Sequence, residues 1–243
     1  MPPKILVISG PTASGKTRLA VELALRHGGE VVSADSMQVY RRMDIGTAKP
    51  TPEEMRGIPH HMLDVADPEE DFSVARYVEL AAPCVDDILA RGKLPIVAGG
   101  TGLYLDSLLS GRTFAPFSPD GGLRARLEAR FDALGGGAML GGLAAADPEA
   151  AARLHPNDRK RIVRALEVFQ QTGKTISQHN RETRALPLRY DALTLSLAFQ
   201  RREDMWARID RRVDEMMAAG LAEEVRALLD SGVPARCTAM QAI

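Results

Sequence analysis

The sequence has few of the features that mark secreted, metal-stabilised or membrane-embedded proteins. Its 243 residues include two cysteines, Cys84 and Cys237, which stand far apart without a CxxC pair or another metal-ligand spacing. A disulfide framework and a zinc site are therefore disfavoured, and two free thiols are expected. No run approaches the roughly 18 consecutive apolar residues of a membrane span, and residues 1–10 lack a signal-peptide pattern. These absences predict a soluble cytoplasmic protein.

A strong excess of charge of one sign is also missing, since the formal net charge is −1. The distribution along the chain is nevertheless uneven: residues 151–212 contain 14 lysines and arginines against 7 acidic residues, a net charge of +7. Such a segment is usually a solvated face, but it can also contact a polyanion. With 45% apolar and 26% charged residues, the chain can fold as one or two globular domains.

Strand and helix patterns alternate along the first part of the chain. Short apolar runs predict strands at Lys4–Ser9, Glu30–Ala34 and Leu94–Ala98, with a further candidate at Leu193–Phe199. Helical spacing marks two intervening segments, Thr17–Arg26 and Val74–Ala90. This alternation predicts an α/β fold with a parallel sheet flanked by helices.

Between residues 118 and 188 the strand signal gives way to helical patterns at Leu123–Leu134 and Asp158–Gln171. The glycine-rich run Gly135–Gly142 between them is flexible enough for a loop or a hinge, and a loop is the favoured prediction. We therefore expect an inserted helical subdomain at 118–188, with the core domain formed by 1–117 and 189–243. Two helices follow the insertion, at Met205–Ala219 and Leu221–Asp230. The first is expected to bury Ile209, Val213 and Met217, with Met205 and Met216 also filling the core.

A phosphate-binding motif lies between the first predicted strand and helix. The string G-x-x-x-x-G-K-[ST] is matched by Gly10, Pro11, Thr12, Ala13, Ser14, Gly15, Lys16 and Thr17. In this P-loop context, backbone N–H groups and the helix N-terminus face phosphate oxygens, the lysine adds a positive charge, and the Thr17 hydroxyl can hold Mg²⁺. The motif indicates a diphosphate or triphosphate site without specifying a reaction.

The other parts of a nucleotidase are hard to find. A Walker-B aspartate should end a buried strand, but the best candidate strand ends in Ala98-Gly99-Gly100-Thr101. The carboxylate follows the second strand instead, as Asp35. Asp35 and Thr101 are thus expected at the carboxyl ends of strands beside the P-loop, where α/β sheets bind ligands.

Several further motifs, together with the P-loop, resemble those of the tRNA dimethylallyltransferases. They occur in family order along essentially the whole chain: Asp35–Tyr40, Met43–Pro50, Pro59–Asp64, Ala98–Tyr104, His155–Asp158, Arg164–Val168 and Arg236-Cys237. The resemblance implies transfer of a dimethylallyl group from dimethylallyl diphosphate to N6 of adenosine 37, beside the anticodon, in tRNAs that read codons beginning with U. It further implies Mg²⁺ as cofactor and no nucleotide hydrolysis.

The resemblance also implies roles for particular residues. Asp35 would act as general base, Thr101 would hydrogen-bond near the reacting amine, and Lys16 and Arg212 would hold the diphosphate. The implied tRNA contacts are Asp35, Ser36, Met37, Gln38, Thr101, Arg124, Arg159, Lys160, Arg161, Ile162, Val163 and Arg164. From the residues alone, Asp35 could instead cap a helix, Thr101 could be a turn hydroxyl, and Arg124 and Arg212 could be surface charges.

Two other functions fit parts of the sequence. A P-loop kinase acting on a small metabolite would explain Lys16 and Thr17 but not the basic segment. A catalytically silent tRNA-binding module would explain the basic segment but not the retention of Lys16 with Asp35. The family normally continues beyond the point that corresponds to Ile243, so we expect a C-terminally truncated chain. A monomer that binds the anticodon stem-loop is the default expectation.

Overall fold

A computed structural model describes residues 2–111 and 121–241 of the chain. The chain divides into two compact units, Met1–Gly111 with Leu188–Ile243, and Arg112–Pro187. In chain order the described elements are β1 (Lys4–Ser9), α1 (Lys16–His27), β2 (Gly29–Ser33), α2 (Pro52–Met55), β3 (His60–His61), α3 (Val74–Ala90), β4 (Leu94–Gly99), α4 (Gly102–Leu109), α5 (Gly121–Ala146), α6 (Pro148–Ala151), α7 (Arg159–Thr172), α8 (Ile176–Arg184), β5 (Asp191–Ser196), α9 (Arg202–Ala218), α10 (Leu221–Asp230) and a short 3₁₀ helix (Ala239–Gln241).

The first unit contains a parallel sheet in the order β3-β2-β4-β1-β5. The central strands end level, because Ser9 of β1 is in register with Gly99 of β4, and Ser33 of β2 with Ala98. The segments that follow β1, β2 and β4 therefore leave the sheet at one edge, as expected of a ligand-binding α/β fold. The predicted parallel α/β class is confirmed, while the last strand lies at Asp191–Ser196, not Leu193–Phe199.

Strand β1 shows why its nearly continuous apolar run forms a central strand. Successive side chains of a strand point to opposite faces, and here both faces are covered. Ile5 and Val7 pack with α3 and α4, whereas Leu6 and Ile8 pack with α1. All four are buried. Burial on both faces fixes the strand that leads into the P-loop.

Helix α9 departs from the sequence prediction. No residue of α9, which is described throughout, is buried. Val213 is 47% exposed and Met217 53%, so the prediction that they fill the core is wrong. Ile209, Met205 and Met216 are half-buried. The apolar periodicity marked the helix correctly, but periodicity alone does not show whether another element covers the apolar stripe.

The glycine-rich run of the second unit is also different from the prediction. Of Gly135–Gly142, Gly135 alone has non-helical angles, with φ 79° and ψ 161°, and α5 continues beyond it. The predicted loop is therefore wrong. Met139 and Leu143 on the second part of α5 are 3% and 0% exposed in the core of this unit, so packing outweighs the low helix propensity of glycine. A Cβ on Gly136 would lie 2.0 Å from the carbonyl oxygen of Pro156, so this neighbour requires glycine.

Two expected absences can be compared with the structure. Cys84 and Cys237 are both free thiols, as predicted. Across residues 2–111 and 121–241, no helix combines the length and apolar character that a membrane crossing requires.

Candidate functional site

The P-loop joins β1 to α1 through a backbone that only some residues tolerate. Gly10 has a φ of 150°, and a Cβ there would lie 2.7 Å from the carbonyl oxygen of Leu197. Ala13 and Gly15 have positive φ values of 58° and 89°. Gly15 is the N-cap of α1 and supplies no side-chain cap, so the first N–H groups of the helix stay available for an anion.

Three side chains of the loop have the chemistry expected at a phosphate site. The ammonium group of Lys16 donates to the carbonyl oxygen of Pro11 at 2.7 Å, across the loop. The buried hydroxyl of Ser14 has no hydrogen-bond partner among the described residues, so it can bond a ligand oxygen. Thr17, the second residue of α1, is half-buried beside them.

The electrostatic surroundings of Lys16 connect the loop to two other predicted residues. Burial lowers the pKa of the Lys16 ammonium, Asp35 opposes this shift, and Arg212 reinforces it. A Cβ on Gly100, after β4, would lie 3.9 Å from the Lys16 Nζ. The segments after β2 and β4 thus both lie near the lysine, as expected from the strand order β2-β4-β1.

Asp35 follows β2 and shapes the segment after it. Its Oδ1 accepts hydrogen bonds from the backbone N–H groups of Met37 at 2.9 Å and Gln38 at 3.4 Å. The side chain is half-buried, and the described residues provide no hydrogen-bond donor to Oδ2. One oxygen therefore orders the turn, while the other can accept a proton from a ligand.

Thr101 links the segment after β4 to the one after β2. Its Oγ1 accepts a hydrogen bond from the Ser36 N–H at 3.0 Å and donates to the Ser36 hydroxyl at 3.3 Å. Its own N–H donates to the carbonyl oxygen of Ala34 at 3.2 Å. A Cβ on Gly99 would lie 2.1 Å from that carbonyl oxygen, so glycine is needed where the two strands end. Thr101 and Asp35 consequently belong to one site.

Helix α9 brings two arginines to the outer side of the P-loop. Arg212 donates to the Thr12 hydroxyl at 3.3 Å, and Arg208 donates to the carbonyl oxygen of Ala13 at 3.1 Å. Arg208 also lies 5.8 Å from the centre of the Phe199 ring. The structure thus places Arg212 at the P-loop, as expected of a residue that binds the diphosphate. It also places Arg208 there, which was not predicted.

Sequence reasoning missed Glu224, on α10. Its carboxylate accepts the backbone N–H groups of Asp44, Ile45 and Gly46 at 2.7, 2.8 and 2.9 Å. The loop that it holds also accepts two hydrogen bonds from the Gln38 side chain. No local pattern could have found this residue, because its partners are about 180 positions away in the sequence.

In the second unit, three of the predicted tRNA-binding cations are in ion pairs. Arg159 pairs with Asp132 and lies over the Phe131 ring. Arg124 and Arg164 both approach the fully buried carboxylate of Glu167, at 2.9 and 3.6 Å. Their side chains remain 47% and 41% exposed. These arginines are therefore held by acidic partners and still present part of their side chains to solvent.

The remaining predicted contacts of helix α7 fall into two groups. Lys160 and Arg161 are exposed, and neither forms an ion pair with any described residue. Ile162 and Val163 are 0% and 2% exposed in the core of the unit. Both side chains lie on the apolar face that packs the helix, and the contact of these two residues with tRNA stays a prediction.

The strand, P-loop and helix, with the ends of β2 and β4 beside them, define an α/β protein of the P-loop NTPase-like class. The IPP transferase family model matches residues 38–243, and an isopentenyl transferase model matches residues 3–70. The chain belongs to the IPP transferase family.

Individual relatives agree with this assignment. The chain is 51% identical to tRNA dimethylallyltransferase 1 of Trichlorobacter lovleyi, over 100% of this chain and 79% of that protein. A solved tRNA isopentenylpyrophosphate transferase from Staphylococcus epidermidis is 41% identical with a TM-score of 0.65, over 98% of this chain and 77% of the other. A eukaryotic dimethylallyltransferase solved acting on tRNA is 33% identical with a TM-score of 0.80, over 98% and 59%.

Proposed function

We propose that this chain transfers the dimethylallyl group of dimethylallyl diphosphate to N6 of adenosine 37 in tRNAs that read codons beginning with U, and releases diphosphate. Membership of the IPP transferase family and identities near 50% to tRNA dimethylallyltransferases support this function over a kinase or a silent tRNA-binding module. The observation that carries the chemistry is the position of Asp35 and Thr101 beside a P-loop whose neighbouring strand β4 ends in glycine, not in a Walker-B aspartate.

The P-loop is suited to the leaving group of this reaction. As the bond between the allylic carbon and the diphosphate oxygen breaks, its electron pair stays on that oxygen and negative charge builds up there. Lys16, Arg212 and the N–H groups at the start of α1 stabilise the charge, and the unpartnered Ser14 hydroxyl adds a hydrogen-bond donor. Stabilisation of the leaving group requires no phosphoryl transfer.

Asp35 provides the acceptor for the proton that the nucleophile loses. The amine of adenine is weakly nucleophilic, and its proton must leave as the new carbon–nitrogen bond forms. In the proposed reaction the proton passes to Oδ2 of Asp35, while Oδ1 stays bonded to the N–H groups of Met37 and Gln38. Thr101 supplies a hydroxyl next to the same segment and orients the amine through a hydrogen bond.

The residues at the loop fit a magnesium ion shared with the diphosphate. Mg²⁺ prefers oxygen ligands and is usually held by one or two protein groups together with phosphate oxygens. The hydroxyl of Thr17 can provide the protein ligand, and the described residues contain no cluster of histidine, cysteine and carboxylate that would favour another metal. When bound, Mg²⁺ neutralises part of the charge on the diphosphate.

The second unit is proposed to contact the anticodon stem-loop of tRNA. Lys160 and Arg161 offer exposed cations, and Arg124, Arg159 and Arg164 hold further guanidinium groups at the surface of the unit. Cations of this kind bind the RNA backbone without reading sequence. We further propose that the chain acts as a cytoplasmic monomer, which sedimentation of the enzyme with and without tRNA would test.

A transfer assay tests the proposed reaction directly. Unmodified tRNA, Mg²⁺ and dimethylallyl diphosphate labelled in the allyl group are incubated with the chain in the absence of ATP. Label should enter the tRNA with release of one diphosphate per group transferred. In a parallel incubation with ATP and no dimethylallyl diphosphate, release of ADP with phosphorylation of a small metabolite would favour the kinase. Binding of tRNA without incorporation of label would favour the silent module.

A further inference from the structure

We propose that Glu224 is a positioning residue for the prenyl-transfer site, holding the first three residues of the Asp44–Ala48 loop so that the Asp35–Gln38 segment keeps its reactive arrangement. This inference rests on the proposed function. The two oxygens of Glu224 accept three backbone N–H groups, those of Asp44 and Ile45 on Oε2 and that of Gly46 on Oε1. Bonds from N–H groups to an ionised carboxylate are about twice as strong as neutral ones.

The loop held by Glu224 is bonded in turn to the reactive segment. The Gln38 side chain donates to the carbonyl oxygens of Ala48 at 3.1 Å and Thr47 at 3.4 Å. Its amide oxygen accepts from the Ser33 hydroxyl at 3.0 Å, and its backbone N–H donates to Asp35. Continuous contacts thus run from α10 through the loop and Gln38 to the proposed base.

Other contacts show that α10 is a firm support for the carboxylate. Leu221 and Leu228 of this helix are buried, and Leu228 packs in a cluster that includes Val39, Tyr40 and Met43. A cavity of about 280 Å³ lies beside the carboxylate, lined by Met43, Leu221, Val225, Leu228, Ala239 and Met240. The described residues leave this space unfilled, and the three hydrogen bonds of Glu224 form a direct link between α10 and the loop.

Lys49 also holds the loop, but at other atoms than Glu224 does. Lys49 donates to the carbonyl oxygen of Tyr40 and to the carboxylates of Asp44 and Asp64. These bonds hold the side chain of Asp44 and the far end of the loop. The N–H groups of Ile45 and Gly46 have Glu224 as their acceptor. Loss of the carboxylate therefore leaves the N–H groups of Ile45 and Gly46 without their acceptor, while the backbone bonds from Ala48 to Ile45 and from Lys49 to Asp44 remain.

Glu224→Gln tests the inference against Glu223→Gln as a matched control. Glutamine has one acceptor oxygen, and its NH₂ group would face a backbone N–H donor. Glu223 loses the same charge from the same helix, but its side chain is 69% exposed and its ion pair with Arg226 is 3.7 Å long. For Glu224→Gln we expect kcat with tRNA to fall by roughly tenfold to a hundredfold while the KM for dimethylallyl diphosphate stays within about twofold. The control should match the unchanged chain.

Hydrogen exchange supplies a readout that does not depend on turnover. Amides 35–48 should exchange faster in Glu224→Gln than in Glu223→Gln, whereas amides of the P-loop should be unaffected. Glu224→Asp keeps both oxygens with a shorter reach, should give an intermediate kcat, and replaces the glutamine variant if that variant does not fold.

Three kinetic results would overturn the inference: unchanged kcat in Glu224→Gln, an equal loss in the control, or a parallel loss of dimethylallyl diphosphate binding. Unchanged exchange across amides 35–48 would do the same. Absence of transfer by the unchanged chain would instead overturn the proposed function, and with it the kinetic half of the inference, while exchange would still decide whether Glu224 orders the segment.

Discussion

The P-loop and helix α7 present positive charge by different means. In the P-loop, backbone N–H groups at the start of α1 face the site, and the geometry depends on positive φ angles at Ala13 and Gly15. On α7, side chains provide the charge, and their positions depend on contacts with Asp132 and Glu167. A backbone site is encoded in one short segment, whereas a side-chain site depends on residues from several segments.

This difference predicts that substitutions in the two regions change different properties of the enzyme. The P-loop and its neighbours should control the rate of the chemical step and the affinity for diphosphate. The cations of α7 should control the affinity for tRNA and its dependence on salt. Variants that separate these two properties therefore test whether the regions divide the work in this way.

The largest effect is expected for Asp35→Asn. Asparagine keeps the oxygen that accepts from Met37 and Gln38, but it cannot take the proton of the nucleophile. General-base catalysis contributes about 10²–10⁴-fold, so the single-turnover rate should fall by that order while tRNA affinity is kept. The same substitution at the exposed Asp106, in α4, is the control and should leave the rate unchanged. Loss of tRNA binding in Asp35→Asn would contradict the assignment as base.

How much of this site could be predicted depended on how local its determinants are. The strand, the P-loop motif and the helix lie within about 25 consecutive residues, and their sequence pattern placed Lys16, Asp35 and Thr101 correctly at one edge of the sheet. Glu224 escaped prediction because a single glutamate in a helix carries no sign of a partner about 180 residues away.

The wrong predictions also concern features that depend on residues distant in the sequence. The charge count of residues 151–212 did not show that Arg159 and Arg164 have acidic partners. Gly135–Gly142 was predicted as a loop because propensity was considered without the packing of Met139 and Leu143.

The next largest effect should be on the stability of the second unit, through Glu167→Gln. The variant leaves Arg124 and Arg164 facing each other without the buried carboxylate that they approach. Removing one partner of a fully buried ion pair costs about 3–5 kcal/mol, and the half-exposed arginines reduce this to about 1–3 kcal/mol of unfolding free energy. Urea unfolding, monitored by hydrogen exchange in each unit, measures this loss of unfolding free energy. Glu128→Gln, at an exposed position of α5, is the control. An equal loss in the control would show that the buried position of Glu167 is unimportant.

Acid should weaken the first unit through Glu30, a buried carboxylate that Arg91, Lys93 and His61 surround. The hydrogen bonds from Arg91 hold the pKa of this carboxyl well below its ordinary value of 4.5. Because the folded pKa is depressed, the stabilisation is fully present above about pH 4.5 and is lost as the pH falls towards the folded pKa. Unfolding free energies between pH 3 and 6 should therefore decrease with acid, and Glu30→Gln should flatten that slope. An unchanged slope would contradict the role of Glu30.

A smaller effect, confined to tRNA binding, is expected for the double variant Lys160→Gln, Arg161→Gln. Each exposed cation that contacts a phosphate releases about one counterion, so the slope of log K against log salt should fall by roughly 1.5 in total. Affinity should drop about tenfold at 0.1 M salt, while kcat at saturating tRNA stays constant. Arg153→Gln removes a cation of the same unit that pairs with Glu149, and it is the control. A loss of kcat at saturation would contradict the division of work between the two regions.

The smallest expected effect is that of Gly137→Ala, in the glycine run of α5. Gly137 has open space around its Cα and lies in the helix after the break, so Gly137→Ala should raise the free energy of unfolding by about 0.5–1 kcal/mol. Gly135→Ala should lower it by about 1–3 kcal/mol, because alanine is strained at φ 79° and ψ 161°. Thermal unfolding of both variants compares the two positions within one glycine run. A higher free energy of unfolding in both variants would mean that Gly135 does not break the helix. An unchanged free energy of unfolding in Gly137→Ala would favour the loop that the sequence predicted.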